Sequence, residues 1–279
     1  MSKIGILHPG EMGISIAASA IHNDHQVYWT SQGRSDKTRA RAEKYRLTEV
    51  ESLSQLCQTC EIILSVCPPH AAEDIAQSVI ETEFRGLYLD ANAIAPQRSI
   101  KIGKLMETRG IRFVDGGIIG GPAWTPKKTW LYLSGEHALE IASCFSDGSL
   151  DTKIIGNQIG KASALKMCYA SYSKGTTALL AAVLAASEAL GVRENLYEQW
   201  DMDNTTGFSD QVSQRVRNVT RKAWRFEGEM KEIAQTFQEA GLTNEFHEAA
   251  ADIYHRMVGF KDATDTPSLH EVIQSLLTQ

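Results

Sequence analysis

The chain has 279 residues, 43% of them hydrophobic and 22% charged, with a formal net charge of -6. That length calls for two domains, each able to bury a core, and the composition excludes disordered and fibrous classes. The acidic balance argues against a nucleic-acid partner or an anionic membrane surface. The longest strongly apolar run, 178–186, falls far short of the ~18 residues that suggest a membrane span. Lys3 is the only basic residue before the first strand-like run and no cleavage pattern follows, so the cytoplasm is the expected compartment. Five cysteines do not form a disulfide framework in a chain this long, and reduced thiols are expected.

In chain order, strand-like runs fall at 4–7, 26–30, 62–66, 87–90, 112–115, 130–134 and 153–155. Helical spacing or helix-boundary signals separate most of them, over 12–22, 37–45, 69–80, 97–108 and 137–145. This alternation predicts an α/β domain with a doubly wound parallel sheet over 1–158. Beyond Gly156 the strand-like runs stop. Alanine-rich helical sequence runs from Lys161 to Gly191, and further helices are expected at 210–225, 227–240, 245–258 and 269–277, with Gly241 and Gly259 as stops. Residues 159–279 therefore read as an all-helical second domain.

The first strand leads into His8-Pro9-Gly10-Glu11-Met12-Gly13 and then a helix carrying Ile14, Ile16, Ala17 and Ala18. In the Rossmann dinucleotide fold the middle glycine of GxGxxG lets backbone approach the pyrophosphate, and the last lets helix and strand pack closely. Gly10 and Gly13 fill those positions, while His8 stands where the first glycine is usual. His8, Pro9, Gly10, Glu11, Met12 and Gly13 are therefore the expected pyrophosphate turn, with helix N-terminal amides facing the anion. About twenty residues on, an NAD enzyme places an acid against the ribose 2'-hydroxyl. Here the segment reads Tyr28-Trp29-Thr30-Ser31-Gln32-Gly33-Arg34-Ser35, with no acid before Asp36. Arg34 offers a guanidinium to a 2'-phosphate and Thr30, Ser31 and Ser35 offer hydroxyls, so the expected cofactor is NADP(H) in preference to NAD(H).

With Gly10-Glu11-Met12-Gly13 as its opening turn, the sequence resembles the β-hydroxyacid dehydrogenase superfamily, which includes 6-phosphogluconate and 3-hydroxyisobutyrate dehydrogenases. Lys166-Met167-Cys168-Tyr169-Ala170, Lys174-Gly175 and the segment Trp224 to Met230 are similar to a bacterial phosphogluconate dehydrogenase-like branch. The resemblance implies a long interdomain helix after the Rossmann domain and a homodimer formed through the helical domain. It also implies that substrate binds between the domains, and that Val66, Cys67 and Pro68 line the nicotinamide side. Asn92 is implied beside the nicotinamide ribose, as a contact to cofactor and substrate. Lys166 matches the family's acid/base lysine, and helical spacing makes Tyr169 and Ser173 the first candidates for substrate contact, with Lys174 as reserve base.

Departures from the family pattern bear on substrate. Its Asn four residues after the lysine is Ala170 here, and its Ser-Gly-Gly carboxylate loop reads Ile119-Gly120-Gly121. Gly120 and Gly121 amides remain as anion donors, while Glu229 stands where the family has a lysine facing the site, which points to a cationic substrate or to an ordinary exposed glutamate. The expectation is thus an NADP-dependent oxidoreductase acting on a small hydroxyacid-like or carbonyl substrate. The rivals are an imine or ketone reductase on the same scaffold and a non-catalytic NADPH-binding sensor. Trp124 and Trp130 are read as core packing at least as readily as a substrate wall. Cys57-Gln58-Thr59-Cys60 has CxxC spacing but no second pair, and the eight histidines form no HxxxH pair, so no metal is expected.

Overall fold

Short apolar strands with alternate residues buried on opposite faces build the sheet of the first unit. They are β1 (Lys3–Ile6), β2 (Gln26–Thr30), β3 (Thr48–Val50), β4 (Ile62–Ser65), β5 (Leu87–Asp90), β6 (Arg112–Gly120), β7 (Thr129–Ser134) and β8 (Asp151–Ile154). In this computed structural model, which describes residues 1–203 and 207–278, they form one sheet in the order β3-β2-β1-β4-β5-β6-β7-β8. Strand pairs from β3 across to β6 are parallel. Connections leave β1 toward β2 on one side and return to β4 on the other, so the crevice beyond the carboxyl ends of β1 and β4 is the topological switch point where such sheets bind ligands.

Helices α1 (Glu11–His22), α2 (Asp36–Lys44), α3 (Leu53–Thr59), α4 (Ala72–Glu81), α5 (Pro96–Thr108) and α6 (Ala138–Ala142) cover the two faces. Strand alternation divides the core accordingly. Ile62, Leu64, Leu87 and Leu89 join one apolar cluster with Ile14 and Ile16 of α1, whereas Ile63 and Tyr88 join another with Leu56 of α3, Val79 of α4 and Met106 of α5.

The α/β expectation holds, with three differences. The sheet is not wholly parallel, because β6 and β7 pair antiparallel from Asp115↔Ser134 to Gly120↔Thr129. That ladder also extends β6 through Gly116 and Gly117, which composition alone reads as loop. The elements β3 and α3 were not expected: β3 is three residues with two exposed, too short for a hydrophobic period. The seven residues of α3, capped by Ser52, carry Cys57 on a helix rather than at the entry to a strand.

The chain divides into units Met1–Met167 and Cys168–Gln279, the change falling within α7 (Lys161–Ala170). A π turn, Ser171–Gly175, follows, and then α8 (Thr176–Ala189), α9 (Arg193–Asp203), α10 (Phe208–Val219), α11 (Ala223–Glu239), α12 (Glu245–Arg256) and α13 (Leu269–Leu277). Among its described residues the second unit is all helical. A short 3-10 turn, Thr220–Lys222, separates α10 from α11. Gly241, at φ 80, ends α11 as expected, whereas Gly259 lies inside a 3-10 turn without left-handed geometry. Met230, Ile233, Tyr254, Val272 and Ile273 are buried in this unit. No described helix is long and apolar enough to cross a membrane.

Candidate functional site

The turn between β1 and α1 is shaped by two glycines with opposite surroundings. A Cβ on Gly13 would lie 2.0 Å from the His8 carbonyl oxygen, so only glycine lets α1 close onto the turn. A Cβ on Gly10 would meet nothing within 4 Å, which leaves that face open. Gly10 is also the N-cap of α1 and supplies no side-chain cap. The amides of Glu11, Met12 and Gly13 have no carbonyl one turn earlier in the helix, and with the helix dipole they form an anion cradle.

His8 is half-buried, and its Nδ1 is buried without a partner. Burial, then the charge of Arg34, pushes its pKa down to about 4, so the ring is neutral near pH 7. Arg34 follows Gly33, whose φ of 70 turns the chain. Its Nε is also buried without a partner, and burial pulls its pKa below the usual arginine value. Around it, Arg39 Nη2 donates to the Ser31 carbonyl at 3.0 Å, and the buried Thr30 hydroxyl accepts from Gln32 N at 3.4 Å. Ser35 caps α2 by accepting from Thr38 N, which sets a second helix N-terminus at the end of β2. An open pyrophosphate cradle beside two buried nitrogens lacking partners fits a dinucleotide carrying an additional anionic group.

Across the switch point, Asn92 joins the loops after β4 and β5. Its Oδ1 accepts from Cys67 N at 2.6 Å, its Nδ2 donates to Ser65 Oγ at 3.1 Å, and its own backbone N donates to Asp90 Oδ1 at 2.9 Å. Asn92 is buried, so it braces the Val66-Cys67-Pro68 loop, and any ligand contact must use its remaining lone pair or N–H. Burial pushes the Cys67 thiol up to about 12, which makes it a packing group. Asp90 was not singled out from sequence. It is buried, its Oδ2 lacks a partner, and burial raises its pKa to about 7.

Further along the sheet, Gly120 closes β6 at φ 123, where a Cβ would lie 2.3 Å from Lys128 O. Gly121 is open on its Cβ side, and its carbonyl accepts from Thr129 Oγ1 at 2.7 Å. Ala123 N donates to Ser15 Oγ of α1 at 2.9 Å. Trp124 stacks on Tyr45 at 5.0 Å between ring centroids, which favours its packing role. Ile119 is buried. Lys166 is half-buried on α7, and α7 lies against β6: a Cβ on Gly117 would meet Ala162 O at 2.5 Å and Lys166 Cβ at 3.1 Å. The structure thus brings the lysine, the glycine turn and the Gly120-Gly121 corner into one unit.

The remaining candidates belong to the helical unit. Tyr169 is exposed on α7, whereas Ser173 sits inside the π turn, which departs from the regular helical spacing used to group it with Lys166. The Ser173 carbonyl accepts from Arg215 Nη2 at 2.8 Å and from Thr177 Oγ1 at 2.9 Å. Glu229 is neither exposed nor uncompensated. It is ion-paired to Lys174, the side chains being only 14% and 15% exposed, and that ammonium lies 4.4 Å over the Phe226 ring. This pairing removes the charge-based argument for a cationic substrate, and it engages the reserve base. Tyr254 Oη closes the cluster by donating to the Lys174 carbonyl at 2.8 Å.

The first unit is therefore a dinucleotide-binding domain of Rossmann type. Residues 3–141 match the family described as the NAD binding domain of 6-phosphogluconate dehydrogenase, and residues 187–257 match a domain of unknown function, DUF1932. Over 215 residues, 77% of this chain and 82% of the relative, the sequence is 29% identical to an uncharacterized 28.5 kDa protein of Methanothermus fervidus. A solved conserved protein of unknown function, described as similar to 3-hydroxyacid dehydrogenases, is 26% identical, with TM-score 0.68 and coverage of 94% of this chain and 100% of that one. The 3-hydroxyisobutyrate dehydrogenase of Mycobacterium tuberculosis shares the fold at TM-score 0.72 and 17% identity over the full length of both chains. An imine reductase variant from Myxococcus stipitatus, solved with NAD+, shares it at TM-score 0.58 and 14% identity, again over both full chains. The chain belongs to the β-hydroxyacid dehydrogenase superfamily, as a member coupling the 6-phosphogluconate dehydrogenase type of NAD-binding domain to DUF1932.

Proposed function

We propose that this protein is an NADP-dependent oxidoreductase that interconverts a small hydroxyacid-like alcohol and its carbonyl form, with Lys166 as the acid/base. The observation that carries the reading is the docking of the Lys166 helix onto β6 in the same unit as the open glycine turn. The bound nicotinamide supplies or accepts the hydride at the substrate carbon. The chain's residues do the rest: the Gly10 turn and α1 amides hold the pyrophosphate, and Arg34, with the α2 N-terminus behind Ser35, holds a 2'-phosphate. Asn92 fixes the loop that lines the nicotinamide side. The Lys166 amine exchanges a proton with the substrate oxygen as the carbon changes oxidation state.

Ile119 favours a second reading on the same scaffold. A buried side chain with no hydroxyl stands where the family serine would meet a carboxylate, which suits reduction of a ketone or imine lacking that group. Exposed apolar residues Leu165, Tyr172 and Leu179 support a homodimer.

An NADPH-coupled screen of hydroxyacids, sugar acids, ketones and imines tests the proposal. We expect turnover with one class, and a loss of about a hundredfold or more in Lys166→Ala with NADPH binding intact. Near-normal turnover in that variant overturns the lysine assignment. Stoichiometric NADPH binding without turnover across the panel favours a sensor.

A further inference from the structure

Asp115 and Gly117 lie two residues apart on β6 and so present the same face of the strand, about 6.7 Å apart along it. One turn of α-helix, from Ala162 to Lys166, rises about 6 Å. The strand and helix are matched at two points. At the first, the fully buried Asp115 accepts on Oδ2 from the backbone amides of Gly160, Ala162 and Ser163 at 2.9, 3.0 and 3.1 Å. The same oxygen takes the Ser134 hydroxyl at 2.9 Å, and Oδ1 takes the hydroxyls of Ser99 at 2.8 Å and Ser163 at 2.5 Å. These are donors that a helix N-terminus otherwise leaves without partners, and a carboxylate there also complements the helix dipole. At the second point, Gly117 has no side chain, and α7 fills the space with the Ala162 carbonyl and the Lys166 Cβ.

We propose that Asp115 and Gly117 are the positioning residues of Lys166, Asp115 by pinning the first turn of α7 and Gly117 by admitting the turn that carries the lysine. The inference rests on the acid/base reading of Lys166 for its catalytic consequence, but the placement itself is a separate claim. It explains why α7 begins in the first unit although strand-like sequence ends near Gly156. It also gives the Asp-Gly-Gly run a task besides ligand binding: a side chain at Gly117 forces Lys166 outward while the pyrophosphate turn, on β1, is undisturbed.

The test compares Gly117→Ala, Asp115→Asn and Lys166→Ala with the native protein by NADPH titration, steady-state kinetics on the substrate found in the screen, and 13C NMR of reductively methylated lysines. The Lys166 resonance is identified by its loss in Lys166→Ala. In Gly117→Ala we expect NADPH affinity within about twofold, kcat reduced about tenfold or more with KM little changed, and a moved Lys166 resonance and titration. Asp115→Asn presents an amide N–H to groups that are themselves donors, and its effects run in the same direction and are larger. Should Asp115→Asn fail to fold, Gly117→Ala decides. Native kcat and an unmoved Lys166 titration in Gly117→Ala, with Lys166→Ala inactive, overturn the positioning role and leave the acid/base reading standing. Normal turnover in Lys166→Ala overturns the acid/base reading instead; the Lys166 resonance in Gly117→Ala then still decides placement, supporting it if moved and overturning it if not.

Discussion

The two units dispose of their polar side chains in opposite ways. In the dinucleotide unit, polar groups gather at strand ends and several have no partner within the protein: His8 Nδ1, Arg34 Nε and Asp90 Oδ2 are all buried and unsatisfied. In the helical unit, the conspicuous charges answer one another, with Lys174 paired to Glu229 and Arg215 bonded to Ser173, Thr176 and Thr177 across the π turn. Leaving buried donors unmade costs free energy, and a fold that tolerates this at the switch point of its sheet reserves them for a ligand. A fold that closes such groups on each other is using them to hold its helices together.

The sharpest way to break this contrast is at the two turn glycines. Gly13→Ala should cost about 3 kcal/mol of stability and abolish NADPH binding, because the new Cβ collides with the His8 carbonyl. Gly10→Ala should leave stability within about 1 kcal/mol and weaken NADPH about tenfold, since its Cβ projects into open space. Equal thermal shifts in the two variants would show that the turn is merely structural.

In the helical unit the expected pattern reverses. Lys174→Met removes the ammonium that answers Glu229 and should lower stability by about 3 kcal/mol, with most of the loss recovered in the Lys174→Met/Glu229→Gln double variant. NADPH affinity should stay at the native value in both. A loss of NADPH binding in Lys174→Met would erase the distinction between the units.

A smaller effect concerns pH. Because burial raises Asp90 to about 7 from an unfolded value near 4, the folded state retains the proton that the unfolded chain has already lost. The stability tied to that proton is fully present below the unfolded pKa and is lost as pH rises through about 7. Asp90→Asn should therefore gain a few degrees in Tm at pH 8 relative to the native protein and show little difference at pH 4. A gain of equal size at both pH values would contradict the burial argument.

What could be read from the residues follows from the same contrast. The glycine turn, the missing acid after β2 and the alternation of strands and helices are local patterns, so the α/β architecture and the position of the cofactor turn were legible. Asp115 escaped notice because its partners lie up to 48 residues away, and nothing local marks a strand aspartate as the cap of a distant helix. Asp90 escaped for a related reason, since its burial is made by neighbouring strands. Glu229 misled because charge alone does not reveal a partner 55 residues earlier. The π turn altered the spacing argument for Ser173, and only backbone geometry records it.

The central claim is that the first unit holds NADP(H) through Arg34. Fluorescence or calorimetric titration of the native protein and Arg34→Ala with NADPH and NADH tests it most directly. The account predicts that native protein binds NADPH at least about tenfold more tightly than NADH, and that Arg34→Ala loses this preference by weakening NADPH alone. Equal affinity of the native protein for both cofactors, or unchanged NADPH affinity in Arg34→Ala, would contradict it.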